Sequence, residues 1–222
     1  MSRAIQAVAV GRGDEVVTVV RGSENRHGEA LTAERLDAAE VVLEFTRPEV
    51  AAATLLRLAG LGKRVVSGTT GWTTRLPEIE LAVRDGGGAL LYSANFSIGV
   101  QLFIRAAAGL AGQFRGRADF DGFILETHHR HKLDAPSGTA LRLQEAARSG
   151  DPERTFPISS VRAGTIPGTH SLEFDAVGET ISLQHTSRGR EGFAAGALAA
   201  AEWLRDRHGV FRFEEMLFGA TE

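Results

Sequence analysis

The sequence predicts an α/β protein, a doubly wound parallel sheet joined to a second α+β domain. Three observations carry this reading. Four short aliphatic runs in the first ninety-odd residues alternate with stretches of helical spacing, the pattern of right-handed βαβ units. The runs are almost continuously apolar, as in parallel strands covered on both faces. In the second half, three strand-like segments follow one another with short turns, which implies an antiparallel or mixed sheet.

The elements are expected in this order. Helix-like MSRAIQAVAVGRGD (1–14) opens the chain, and the four runs are EVVTVV (15–20), EVVLEF (40–45), KRVVSGT (63–69) and GALLYS (88–93). Helices are expected between them at TAERLDAA (32–39), RPEVAAATLLRLAGLG (47–62) and TTRLPEIELAVRDGG (73–87), with Val50, Leu55, Leu58 and Leu61 at helical spacing in the second. A helix at GVQLFIRAAAGLAG (99–112) then leads into a strand, DFDGFILETH (119–128), and a second helix from about Ser137 to Arg148. Strands FPISSVRAG, HSLEFDAVG and TISLQHTS come next, and a last helix over 191–209 ends at Gly209. Its Ala stripe (194–201) reads as close helix–sheet packing. Domain boundaries are expected at 1–97 with 192–222, and 98–191.

Composition narrows the function. The chain has no cysteine, which excludes disulfides, thiolate nucleophiles and cysteine-ligated metal, and fits a cytoplasmic location. A formal net charge of -3 gives no reason to expect nucleic-acid or anionic-membrane partners. No apolar run approaches the ~18 residues of a membrane span, and the N-terminus lacks a signal-peptide core.

The chemistry concentrates in ETHHRHKLDAPSGTA (126–140). Three of the seven histidines, with Lys132 and Asp134, lie within nine positions there. Strand alternation places Ile124, Glu126 and His128 on one face, with His128 at the strand end as a general acid or base. Lys132 is a charge clamp or second proton donor. Ser137 caps the following helix, and the N–H groups of Gly138 and Thr139 favour a carboxylate. The constellation fits a small polycarboxylate undergoing proton transfer, although any one of its residues alone reads better as part of a surface loop with a well-capped helix. The H-H-x-H spacing has no second ligand cluster to complete it, and Lys132 repels a cation, so no metal is expected. Arg162, His170, His185, Arg188 and Arg190 read best as strand-end and loop charges.

Three further loops sit where doubly wound sheets bind ligands, beyond the strands' carboxyl ends. VVSGTTGW offers Gly68, Thr69 and Thr70, SANFSIGV offers Asn95, and Arg21 at the end of EVVTVV suits a 2′-phosphate, but taken singly the two loops read as ordinary turns and Arg21 equally as a solvated arginine.

Taken together, the signature 126–140 with EFTRPE, GTTG, SANFS, IPGTH and GFAAGALAAAEWL resembles the dihydrodipicolinate reductase family over nearly the whole chain. The resemblance implies a Rossmann-type fold and NADPH- or NADH-dependent reduction of a cyclic dicarboxylate imine in diaminopimelate and lysine biosynthesis. It implies His128 as proton donor, Lys132 as second donor, and His129, Gly138 and Thr139 as carboxylate binders. Gly68, Thr69, Thr70, Ser93, Ala94, Asn95 and Phe96 then line the nicotinamide side with Arg47 close by, and the chain is a cytoplasmic homotetramer assembled through its substrate domain. The family begins with a strand and a glycine-rich turn, whereas MSRAIQ aligns with the end of that turn. Translation is therefore expected to start some ten to fifteen residues upstream, on the order of one strand plus one turn. The competing readings are a non-catalytic relative that keeps the dicarboxylate pocket, and another Rossmann-type dehydrogenase, which has no need of the 126–140 signature.

Overall fold

The computed structural model describes residues 1–25 and 28–219. The elements in chain order are α1 (Ser2–Arg12), β1 (Val42–Glu44), α2 (Pro48–Gly60), β2 (Arg64–Ser67), α3 (Leu76–Gly86), β3 (Ala89–Tyr92), α4 (Ile98–Gln113) and β4 (Asp121–His128). Then follow α5 (Gly138–Gly150), β5 (Ile158–Arg162), β6 (Thr169–Asp175), β7 (Thr180–Thr186), α6 (Glu191–Leu204), β8 (Gly209–Arg212) and α7 (Phe213–Phe218). The chain divides into two units, Met1–Ile98 with Arg190 onward, and Gly99–Gly189.

The first unit is a parallel sheet in the order β1-β2-β3-β8. Alternate side chains leave the two faces. Val66 and Leu91 enter a cluster with Ile5, Ala9 and the buried Ala194, Ala197, Ala200 and Ala201 of α6. Val65 and Leu90 enter another with Leu55 and Leu58 of α2 and Ile79 and Val83 of α3. Helices on both faces explain why these strands are apolar throughout. Each buried aliphatic side chain contributes about 1.5–3 kcal/mol. Alanine and glycine let α6 approach closely: a Cβ on Gly196 would stand 1.7 Å from the Phe96 carbonyl oxygen.

Three expectations for this unit need correction. EVVTVV (15–20) is no strand, because a strand exists only with a ladder partner. Its residues are exposed or half-buried, and β1 pairs only with β2 among the described residues. TAERLDAA (32–39) forms successive turns, since only Leu36 within it is buried and so short an isolated helix is marginal. The last helix stops at Leu204, and Gly209, with φ 107°, opens β8, which pairs with β3. Val210 and Phe211 were the strand signal in that stretch.

The second unit is a mixed sheet in the order β5-β4-β6-β7, with β4 parallel to β5 and antiparallel to β6. One core joins Phe103, Ala107 and Phe114 of the α4 region and Leu143 and Ala147 of α5 to Ile124, Phe156, Leu172 and Phe174. Phe114 stacks on Phe174 with ring centres 4.0 Å apart. Among the described residues no helix is long and apolar enough to cross a membrane.

Candidate active site

In the second unit the alternation of β4 sends Ile124 into the core and brings Glu126 and His128 to the same buried face at the strand's carboxyl end. Sheet register adds the rest. His170 of β6 lies opposite Glu126, and Arg162 of β5 lies opposite His128. Arg162 Nη2 donates to Glu126 Oε1 at 2.6 Å, and the Ser137 N–H donates to the same oxygen at 3.2 Å. Burial alone would raise the Glu126 carboxyl, but hydrogen bonds from Arg162, Ser160 and Ser137 outweigh it and hold it at about 2. The carboxylate is therefore ionised at neutral pH.

His128 is 8% exposed. Its Nδ1 lies 2.7 Å from Glu126 Oε2, a contact that becomes an ion pair only when the ring is protonated. Its Nε2 looks the other way, toward Gly168, where a Cβ would stand 2.9 Å off. Burial pushes the His128 imidazole below its ordinary value, Glu126 opposes this, and the charges of Lys132 and Arg162 add to it. His170 is driven down to about 4, by burial first and His128 second, and is neutral at pH 7. Ser137 Oγ caps α5 by accepting from the Ala140 N–H, and it shares a hydrogen bond with His170 Nε2 at 2.9 Å.

The loop between β4 and α5 carries the remaining residues of the signature. Lys132 is half-buried, and its Nζ is paired with Asp134 at 2.8 and 3.0 Å. This bond is the main reason the Asp134 carboxyl is lowered. Arg162 Nη2 also donates to the Asp134 carbonyl at 2.6 Å and so ties the loop to the strand end. His129 and Gly138 are exposed and Thr139 is half-buried. Arg162 and His170 are thus not peripheral charges, contrary to expectation. They converge on Glu126 because neighbouring strands bring them there.

Glu126, His128 and His170 each offer an atom within 4.8 Å of the others, a cluster the sequence spacing did not reveal. Arg162 already neutralises its carboxylate, and Lys132 adds a second cation nearby. A divalent ion there would stand against both charges.

In the first unit the loops at the carboxyl ends of β1, β2 and β3 carry the other expected residues. Arg47 (preceding α2) and Thr70 are exposed, Asn95 is half-buried, and Ala94 is exposed. Ser93 is buried, and its hydroxyl donates to the Asn95 carbonyl at 3.0 Å. The Phe96 ring is core, packed 4.8 Å from Phe213 and 5.8 Å from Phe45, so only its backbone remains for a ligand. Thr69 is buried and its hydroxyl donates to Glu44 Oε1 at 2.8 Å, so that proton is not directed outward as expected. Gly68 is needed for close approach, since a Cβ would stand 2.0 Å from the Phe45 ring. Arg21 is exposed in a turn, not at a strand end, and its backbone N–H is held by Glu24.

The family models for the N-terminal and C-terminal parts of dihydrodipicolinate reductase match residues 8–96 and 99–217. A 4-hydroxy-tetrahydrodipicolinate reductase of Myxococcus xanthus is 39% identical over 220 residues, spanning 90% of this chain and 77% of that protein. One of Christiangramia forsetii is 33% identical over 189 residues, spanning 80% and 79%. The solved structure of a dipicolinate-bound dihydrodipicolinate reductase from Paenisporosarcina sp. TG-14 superposes with a TM-score of 0.71 at 25% identity, over 84% of this chain and 78% of that one. A buried histidine–carboxylate site on β4, a parallel nucleotide-binding type of sheet and these likenesses agree: the chain belongs to the dihydrodipicolinate reductase family.

Proposed function

We propose that this chain reduces 4-hydroxy-tetrahydrodipicolinate to tetrahydrodipicolinate with NADPH or NADH, in diaminopimelate and lysine biosynthesis. The observation that carries the reading is the buried His128, backed by an ionised Glu126, with its Nε2 on the side of Gly168, which has no side chain. The exposed Arg47 and Thr70, with Asn95 and the backbone at Gly68, suit a dinucleotide on the strand ends of the first unit. The reduced nicotinamide, when bound, supplies the hydride.

The chain's own residues handle charge and protons. His129, just after β4, and Gly138 and Thr139, at the start of α5, receive the substrate carboxylates, favoured at the helix by its dipole. Lys132 gives up Asp134 to become their cation and second proton donor. The resting His128 is biased toward the neutral imidazole. A dianion beside it favours the imidazolium, so substrate binding itself loads the proton that Nε2 then delivers. Glu126 holds the ring by Nδ1 and stabilises the charged form.

The test is His128→Gln. Turnover should fall ~10²–10⁴-fold with cofactor affinity unchanged. Wild-type turnover in that variant would remove His128 from the chemistry. Cytoplasmic location and a homotetramer are part of the same proposal. The sheet face of the second unit turned away from α4 and α5 leaves Leu125 and Val161 37% and 41% exposed, an apolar surface that a partner subunit can cover. Sedimentation would check the assembly.

A further inference from the structure

We infer that Glu44 is a positioning residue for the nicotinamide cofactor: a buried carboxylate that fixes the loops after β1 and β2 in one cofactor-receiving shape without touching the cofactor. The inference rests on the function proposed above.

Glu44 ends β1 and is 3% exposed. Its Oε1 accepts from the Thr46 N–H at 2.9 Å, from the Thr46 hydroxyl, and from the Thr69 hydroxyl at 2.8 Å. Its Oε2 accepts from the Ser67 hydroxyl at 2.6 Å. The Thr46 N–H also reaches Thr69 Oγ1 at 2.8 Å, and the Gly68 N–H donates to the Glu44 carbonyl at 2.9 Å. One side chain thus gathers three hydroxyls and an amide from two different strand ends. Among the described residues no Lys or Arg forms an ion pair with it. A buried charge held only by neutral donors is an expensive way to stabilise a sheet edge, and an apolar side chain would serve packing better.

What the carboxylate does that a neutral group does not is accept without donating. Every hydroxyl proton in the cluster points inward, so the Thr46 and Thr69 oxygens and the Gly68 backbone are locked in place. Thr69 is fixed from a third side, because its carbonyl accepts from Trp72 Nε1 at 2.7 Å. Arg47 and Thr70, the exposed residues expected to meet the cofactor, each follow directly on a residue that Glu44 holds. Glutamine at position 44 would bring two N–H donors to a point where donors already converge, and the loops would have to part.

The experiment uses the full chain with Glu44→Gln and Glu44→Asp. It measures NADPH and NADH dissociation constants by fluorescence, dipicolinate affinity by calorimetry, and thermal midpoints. Both variants should bind both cofactors about tenfold more weakly, with dipicolinate binding unchanged because that site lies in the other unit. Wild-type cofactor affinity in Glu44→Gln would overturn the inference while leaving the proposed function standing. Equal loss of cofactor and dipicolinate binding would overturn it too, by making Glu44 a general stability residue. A wild-type chain that binds neither nicotinamide would overturn the proposed function, and this inference with it.

Discussion

Gly168 faces the reactive side of His128, and Gly168→Ala tests the geometry with a single methyl group. The new Cβ would stand 2.9 Å from His128 Nε2 and 3.1 Å from Cδ2. Ordinary contact begins near 3.4 Å, so the ring or the loop must give about 0.5 Å, by the same steric limits that make overpacking costly. The backbone does not object, since Gly168 is not among the positive-φ glycines. The ring has little room to retreat: Nδ1 is already 2.7 Å from Glu126, which Arg162 holds at 2.6 Å. The loop is tied as well, by the Ser187 N–H to the Gly168 carbonyl at 2.8 Å. Overpacking of this kind costs ~1–3 kcal/mol, and misplacement of a reacting group by up to an ångström costs as much as ~10²-fold in rate. We expect kcat to fall ~10–10²-fold and the thermal midpoint by a few degrees, about 2–4 °C per kcal/mol at this size. Steady-state oxidation of reduced nicotinamide with freshly generated substrate reads the first, and a melting curve the second. Gly178→Ala, where a Cβ meets nothing within 4 Å, is the control and should change neither. Turnover of Gly168→Ala within twofold of wild type would refute the placement of Nε2 as the proton-handling atom.

Two further predictions concern charge. Lys132 lowers His128 and Glu126 raises it, so Lys132→Ala should move the basic limb of kcat/KM to higher pH and Glu126→Gln should move it lower. Shifts in the same direction would show that His128 is not the titrating group. His170 sits at about 4 when folded against an ordinary 6.5, so the unfolded chain binds more protons between those values. The stability His170 contributes is thus fully present above pH 6.5 and is lost as pH falls toward 4, on the order of 3 kcal/mol. Urea midpoints that stay level across that window would sink the assignment; Glu126, held at about 2, gives way only below the ordinary carboxylate value of 4.5.

Local pattern revealed most of the secondary structure and half of the site. Alternation in β4 placed Glu126 with His128, and the Ser137 cap was legible because capping is a contact between near neighbours. What stayed hidden depends on partners far away in the chain. EVVTVV has strand composition, yet no local pattern tells whether a ladder partner is present. Arg162 and His170 look like ordinary strand-end charges until register sets them across from His128 and Glu126. Thr69 looks like a ligand-facing hydroxyl until a carboxylate from another strand claims its proton.

The two ion pairs of the site have different work to do, and burial separates them. Arg162 and Glu126 are 16% and 0% exposed in their side chains, whereas Lys132 and Asp134 are 24% and 56% exposed. Breaking a buried pair costs ~3–5 kcal/mol, because an uncompensated charge remains inside. An exposed pair is worth only ~0–1 kcal/mol. A dianionic substrate cannot recruit Arg162 without stranding Glu126, and then His128 loses the group that orients it. Lys132 can be recruited at almost no cost, because Asp134 returns to water. In the proposed reaction the site thus keeps one cation for its own architecture and offers the other to the substrate. Burial meanwhile biases both imidazoles toward the neutral form, His170 the more strongly.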